Sequence, residues 1–130
     1  MVRFIRIGKM TPTRVLIVDD VAQVRRDLRT ALTLSGDIEV VGEAADGLEA
    51  IRLAQLLSLD VILMDLEMPR LDGYEATRRI KASFPACRVI ALTVHDYESA
   101  RVKAIQSGVD AFLVKGAPVQ KIIQSISQKE

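Results

Sequence analysis

Five short apolar runs alternate along the chain with five longer stretches of helical period, and this alternation constrains the fold more than any other feature. Val15 to Val18, Val61 to Met64 and Val89 to Leu92 contain no polar residue at all. A strand reads as continuously apolar when both of its faces are buried, which is the condition inside a parallel sheet covered by helices. Ile38 to Val41 is broken by Glu39 and flanked by Asp37 and Glu43, so it suits an edge position. Ala111 to Val114 supplies the fifth run.

The intervening segments carry helical spacing. Val21, Val24, Leu28, Ala31 and Leu32 recur at three and four, with Arg25, Arg26 and Arg29 on the opposite face and Ser35-Gly36 as the stop. Asp46 followed by Glu49 forms a capping-box pattern that opens a second helix through Leu48, Ile51, Ala54 and Leu57. Tyr74, Ala76, Ile80 and Phe84 mark a third, stopped by Pro85. A fourth is predicted over Asp96 to Gln106 before Gly108. A fifth has Pro118 in its first turn and a stripe of Val119, Ile122, Ile123 and Ile126.

Crossovers between parallel strands are short and right-handed, and five strand–helix pairs are too few to close an eight-stranded barrel. The expected architecture is therefore α/β: a single doubly wound five-stranded parallel sheet, flavodoxin-like in its order 2-1-3-4-5, with helices on both faces. Residues 14–130 form the domain and residues 1–13 a flexible N-terminal tail, within which Met10 is an alternative start and Phe4, Ile5 and Ile7 could pair with a sheet edge.

The formal charge is +1, but Arg3, Arg6, Lys9 and Arg14 concentrate basic character in the first fourteen residues, and the remaining 116 carry 14 basic and 17 acidic residues. That body lacks the electropositive footprint of a nucleic-acid binder. Cys87 is the only cysteine, which rules out an internal disulfide or a cysteine metal site and fits a reducing, cytoplasmic setting. No apolar run is long enough to span a bilayer, and MVRFIRIGKM is too short and too interrupted by arginine for a secretory signal.

Ligands of open parallel sheets bind at the carboxyl ends of the strands. Those ends carry Asp19 and Asp20, Asp65, Thr93 and Lys115, and in the order 2-1-3-4-5 they converge. Three carboxylates brought together repel one another and raise at least one pKa unless a cation sits among them. A hard divalent ion such as Mg²⁺ answers that requirement, and Lys115 and Thr93 can meet phosphate oxygens. Taken singly, each residue has a plain alternative: a helix cap for Asp19 and Asp20, a turn for Asp65, a surface lysine for Lys115. Placed together at four strand ends they read as a site.

VLIVDD at 15–20, VILMDLEMPRLDG at 61–73, VIALTV at 89–94 and AFLVKG at 111–116 resemble the response-regulator receiver family of two-component systems in order, spacing and content. The resemblance runs from about Arg14 to Ile126, and its most specific piece is Asp65, Met68, Pro69, Asp72 and Gly73. It implies that Asp65 is the phosphoacceptor, that Asp20 binds Mg²⁺ directly with Mn²⁺ able to substitute, and that Asp19 acts through water. It further implies that the backbone carbonyl of Glu67 is a metal ligand, that Lys115 binds phosphate, and that Thr93 and Phe112 form the switch pair. Phe112 also reads as an ordinary core aromatic.

Gly116 stands where many family members carry proline, and with GVDAFLVKGA this is similar to the LuxR-type (NarL/FixJ-like) branch. The implied partners are a sensor histidine kinase or phosphotransfer protein, with homodimerisation on phosphorylation and with DNA reached only through an output domain outside this chain. The implied function is a phosphorylation-activated switch with no catalysis beyond its own phosphorylation and dephosphorylation. Two alternatives stand beside it: a stand-alone or pseudo-receiver binding module, and a metal-dependent aspartyl phosphatase with Glu67 as its acid. A flavin or nucleotide module would need a glycine-rich turn where Asp19-Asp20 stands. One histidine cannot build a zinc site, so His95 reads first as a solvated loop residue, with a place on the pocket rim as the alternative.

Overall fold

The computed structural model describes residues 11–128. Its elements alternate as β1 (Thr13–Val18), α1 (Ala22–Thr33), β2 (Ile38–Ala44), α2 (Gly47–Leu56), β3 (Val61–Asp65), α3 (Gly73–Ser83), β4 (Arg88–Thr93), α4 (Glu98–Ser107), β5 (Ala111–Val114) and α5 (Val119–Ser127). The five strands form one parallel sheet in the order β2-β1-β3-β4-β5, as the sequence predicts. The acid-bearing β2 lies at the edge beside β1.

Alternation within each strand divides the core in two. Leu16, Val18, Ile62, Met64, Val89 and Ala91 pack with Ala50 and Ala54 of α2, Ala76 and Ile80 of α3 and Ala104 of α4. Val15, Ile17, Val61, Leu63, Ile90 and Leu92 belong to the other face, with Leu32 of α1 and Ile122 and Ile126 of α5. The three central strands are thus buried on both sides, which accounts for their unbroken apolar sequences.

Several boundaries differ from the expected ones. Thr13, placed in the tail by sequence, donates its N–H to the Asp37 carbonyl and starts β1; the rest of that tail lies outside the described residues apart from Thr11 and Pro12. α4 starts at Glu98 rather than Asp96, because Tyr97 is its extended flanking residue and the Asp96 carboxylate is taken up by Arg101 at 2.8 Å. Pro118 is likewise the flanking residue of α5 and not its first turn: its ψ of 142° is extended. The cap of α2 forms as predicted, with Asp46 accepting the Glu49 N–H at 2.9 Å.

Candidate functional site

Because β1, β3, β4 and β5 are successive neighbours in the sheet, their carboxyl ends lie side by side. Asp19 follows β1, Asp65 closes β3, Thr93 closes β4 and Lys115 follows β5. Asp19, Asp65 and Thr93 are buried, while Asp20 is exposed. One carboxylate oxygen from each of Asp19, Asp20 and Asp65 falls within a cluster 4.8 Å across.

Asp19 is held from several sides. Its Oδ1 accepts the Val21 N–H at 2.9 Å, its own N–H donates to the Ala44 carbonyl at 3.0 Å, and its carbonyl accepts from Arg25 Nη1 at 2.7 Å. It does not cap α1, whose flanking residue is Val21 and has no side-chain cap. The remaining oxygen of Asp19 meets Lys115 Nζ at 2.7 Å, and the same Nζ stands 3.4 Å from Asp65 Oδ2. Lys115 therefore bridges the two buried carboxylates.

Burial, and then the charge of Asp19, push the Asp65 carboxyl up to about 6, against the opposing pull of Lys115 and of the Glu67 N–H. Burial works against the Lys115 ammonium, but its contacts with Asp19 and Asp65 outweigh this and its pKa ends above the ordinary lysine value. The Thr93 hydroxyl oxygen accepts the His95 N–H at 3.1 Å, and its carbonyl accepts the Lys115 N–H at 2.7 Å. Thr93 and Lys115 are thereby fixed to each other through the backbone. Phe112, half-buried on β5, packs against the core with the Arg101 guanidinium 4.7 Å from its ring centre.

Glu67 donates its N–H to Asp65 Oδ1 at 3.3 Å, and its carboxylate meets His95 Nε2 at 2.8 Å. Of the two places the sequence allows for His95, a solvated loop and the pocket rim, the structure shows the rim, where it pairs with Glu67. Each partner lies two residues beyond a strand-end residue, Asp65 and Thr93, but the pairing itself depends on β3 and β4 being adjacent.

Two further features escaped sequence reasoning. A Cβ on Gly73 would lie 2.1 Å from the Asp65 carbonyl oxygen, so the start of α3 can approach the end of β3 only with glycine there. In the loop between them, Arg70 has a φ of 68°, the only positive φ outside glycine among the described residues, and its side chain pairs with Asp46.

The donor set fits a hard divalent cation: three carboxylates, no cysteine or histidine, and one lysine to offset them. Residues 15–127 match the family model of the response regulator receiver domain. The chain belongs to that family. This receiver is 39% identical over 115 residues to the response regulator protein VraR of Staphylococcus saprophyticus, covering 88% of the chain and 55% of VraR. It spans about half the length of the curated relatives it matches.

Its fold superposes on a LuxR-family two-component response regulator from Aurantimonas, with a TM-score of 0.84 and 33% identity, covering 89% of this chain and 83% of that one. It also superposes on the CheX-CheY-BeF3-Mg²⁺ complex from Borrelia burgdorferi, with a TM-score of 0.83, 26% identity and 95% coverage of each chain. Together with the Aurantimonas regulator, a NarL receiver domain from Mycobacterium tuberculosis (TM-score 0.82, 31% identity, 92% of this chain and 99% of that one) places the receiver with the LuxR-type branch, as the GVDAFLVKGA segment implies.

Proposed function

We propose that the receiver takes up a phosphoryl group on Asp65 from a phosphohistidine of a sensor histidine kinase or phosphotransfer protein. The observation that carries this reading is Lys115 bridging two buried carboxylates, with a third carboxylate and the Thr93 hydroxyl at the same sheet edge. Asp20, Asp65 and the Glu67 carbonyl would hold Mg²⁺ directly, and Asp19 through water. When bound, the ion offsets the charge of the transferring group and draws the carboxylates together. That a relative of the same fold was solved in a complex with BeF3 and Mg²⁺ supports the reading of a divalent ion.

Asp65, with a pKa of about 6, is predominantly ionised near neutral pH and so available as a nucleophile. A carboxylate oxygen attacks the phosphorus in line, a P–O bond forms, and the P–N bond breaks with its electron pair leaving on the imidazole nitrogen. Lys115 pairs with the incoming phosphoryl oxygens, and Thr93 turns its hydroxyl toward them, giving up the contact from the His95 N–H. Phe112 and Arg101 lie on the elements that answer this movement. The product charge thereby biases two states of the β4–α4 and β5 region. Output is control of transcription through a DNA-binding domain outside this chain, in keeping with relatives named as a transcriptional regulatory protein in Bacillus subtilis and a DNA-binding response regulator in Staphylococcus aureus.

Intact mass after incubation with a small acyl phosphate and Mg²⁺ tests the reading. A single phosphoryl addition, labile to hydroxylamine and absent in Asp65→Asn and with chelator, is expected. Equal phosphorylation of Asp65→Asn would overturn the site, and no uptake in any sample would leave a binding module of receiver fold.

A further inference from the structure

We infer that Arg70, through its ion pair with Asp46, is a positioning residue that sets the β3–α3 loop for metal binding at the carboxylate site. The inference rests on the reading of the Glu67 carbonyl as a metal ligand, since that carbonyl lies in the same loop, three residues before Arg70. What the loop needs is a fixed path. Between Asp65 and Gly73 the chain leaves the sheet, and its course decides where the Glu67 carbonyl stands relative to Asp20 and Asp65.

Glu67 is tied to Asp65 and to His95 at the near end of the loop, and the far end is tied to the start of α2. Arg70 Nε donates to Asp46 Oδ2 at 2.9 Å, and a second guanidinium nitrogen reaches the same oxygen. One residue on, the Leu71 carbonyl accepts the Gly47 N–H at 3.0 Å. The approach is so close that a Cβ on Gly47 would lie 2.4 Å from that carbonyl oxygen. Met68 and Leu71 pack against the core on either side of Arg70.

Asp46 is suited to be the anchor because it is itself immobilised. It is only 4% exposed, and its other carboxylate oxygen accepts the Glu49 N–H at the head of α2. Arg70, by contrast, is largely exposed and holds a left-handed backbone conformation that a branched or long side chain ordinarily avoids. Such a conformation persists where surrounding contacts over-determine it. Arginine is an unexpected residue at a φ of 68°, where glycine would be at ease, unless its side chain is needed, and the contact it makes is with Asp46. The guanidinium delivers two donors in a fixed plane to one carboxylate oxygen, which aligns the loop as well as attaching it.

Metal binding by the protein with no phosphodonor present tests this directly. Mn²⁺ is titrated in, and the free ion is counted by electron paramagnetic resonance, for the native chain and for Arg70→Gly, Arg70→Lys, Asp46→Asn and the Asp46→Asn/Arg70→Gly double variant. Asp46→Asn keeps an oxygen to cap α2, and Arg70→Gly relaxes the backbone at position 70, so thermal unfolding in chelator should change little in either. Binding should weaken by about tenfold in each single variant, the scale on which the outer contacts of metal ligands act. The double variant should be no weaker than the singles, and Arg70→Lys should recover part of the loss.

Arg70→Gly binding Mn²⁺ as tightly as the native chain would overturn the inference, as would strictly additive losses in the double variant. Weakened binding that merely tracks a fall in the unfolding midpoint would overturn it too, by reducing the effect to general destabilisation. Native protein that binds no Mn²⁺, or Asp20→Asn that binds it undiminished, would remove the metal reading itself. That failure is distinct from the failure of the Arg70 contact.

Discussion

At Asp65 the protein works against its own ionised carboxylate, and the consequence is measurable without any phosphodonor. The folded pKa of about 6 lies above the ordinary 3.8, so folding favours the protonated form. The resulting loss of stability is absent below both values, grows as pH rises between them, and is complete above about 6. At about 1.4 kcal/mol per unit, Asp65→Asn should gain up to about 3 kcal/mol near neutral pH in chelator. The gain should vanish in acid; urea unfolding at both pH values checks this, and an equal gain at each would exclude charge as the cause. Mg²⁺ should narrow the difference by stabilising the native carboxylates alone. At Gly73 the constraint is steric. Gly73→Ala must displace the Asp65 carbonyl or the head of α3, which should cost about 1–3 kcal/mol in the same unfolding assay and slow phosphorylation as well.

The elements differ in how their ends are secured, and α2 has the most to lose. Asp46→Ala removes both the cap and the Arg70 anchor and should cost about 1–2 kcal/mol, measured by chemical unfolding, whereas Asp46→Asn should cost less because an oxygen still caps the helix. The Glu49 N–H and then Arg70 hold the Asp46 carboxyl below its ordinary value. Its contribution is therefore present above the ordinary carboxylate range and lost as pH falls through the lowered value, so native and Asp46→Asn stabilities should converge in strong acid. The Asp46–Glu49 spacing made this cap legible in sequence, because a cap is a contact three residues apart. The starts of α4 and α5 were not legible to the residue. Asp96 turns its carboxylate to Arg101, and Pro118 keeps an extended ψ, so each helix begins one or two residues later than its composition suggests.

For the whole molecule, the two-faced sheet is the source of stability. Leu63 is fully buried in the central strand β3, facing the α1 and α5 layer, and Leu63→Ala should cost about 2–5 kcal/mol by denaturant unfolding. The sequence by itself determined the strand and helix alternation, the burial of β1, β3 and β4, the edge position of β2 and the four strand ends that carry Asp19, Asp20, Asp65, Thr93 and Lys115. Each of these is a local property: period two or period 3.6, and a polar residue where an apolar run stops. Only the tertiary structure decided that Lys115 bridges Asp19 and Asp65, that His95 meets Glu67, and that Arg70 reaches Asp46. All these pairs join residues 24 to 96 positions apart, and the Glu67–His95 pair depends besides on β3 and β4 being adjacent. No local periodicity encodes such contacts; they exist because the parallel sheet brings the ends of distant segments to one edge.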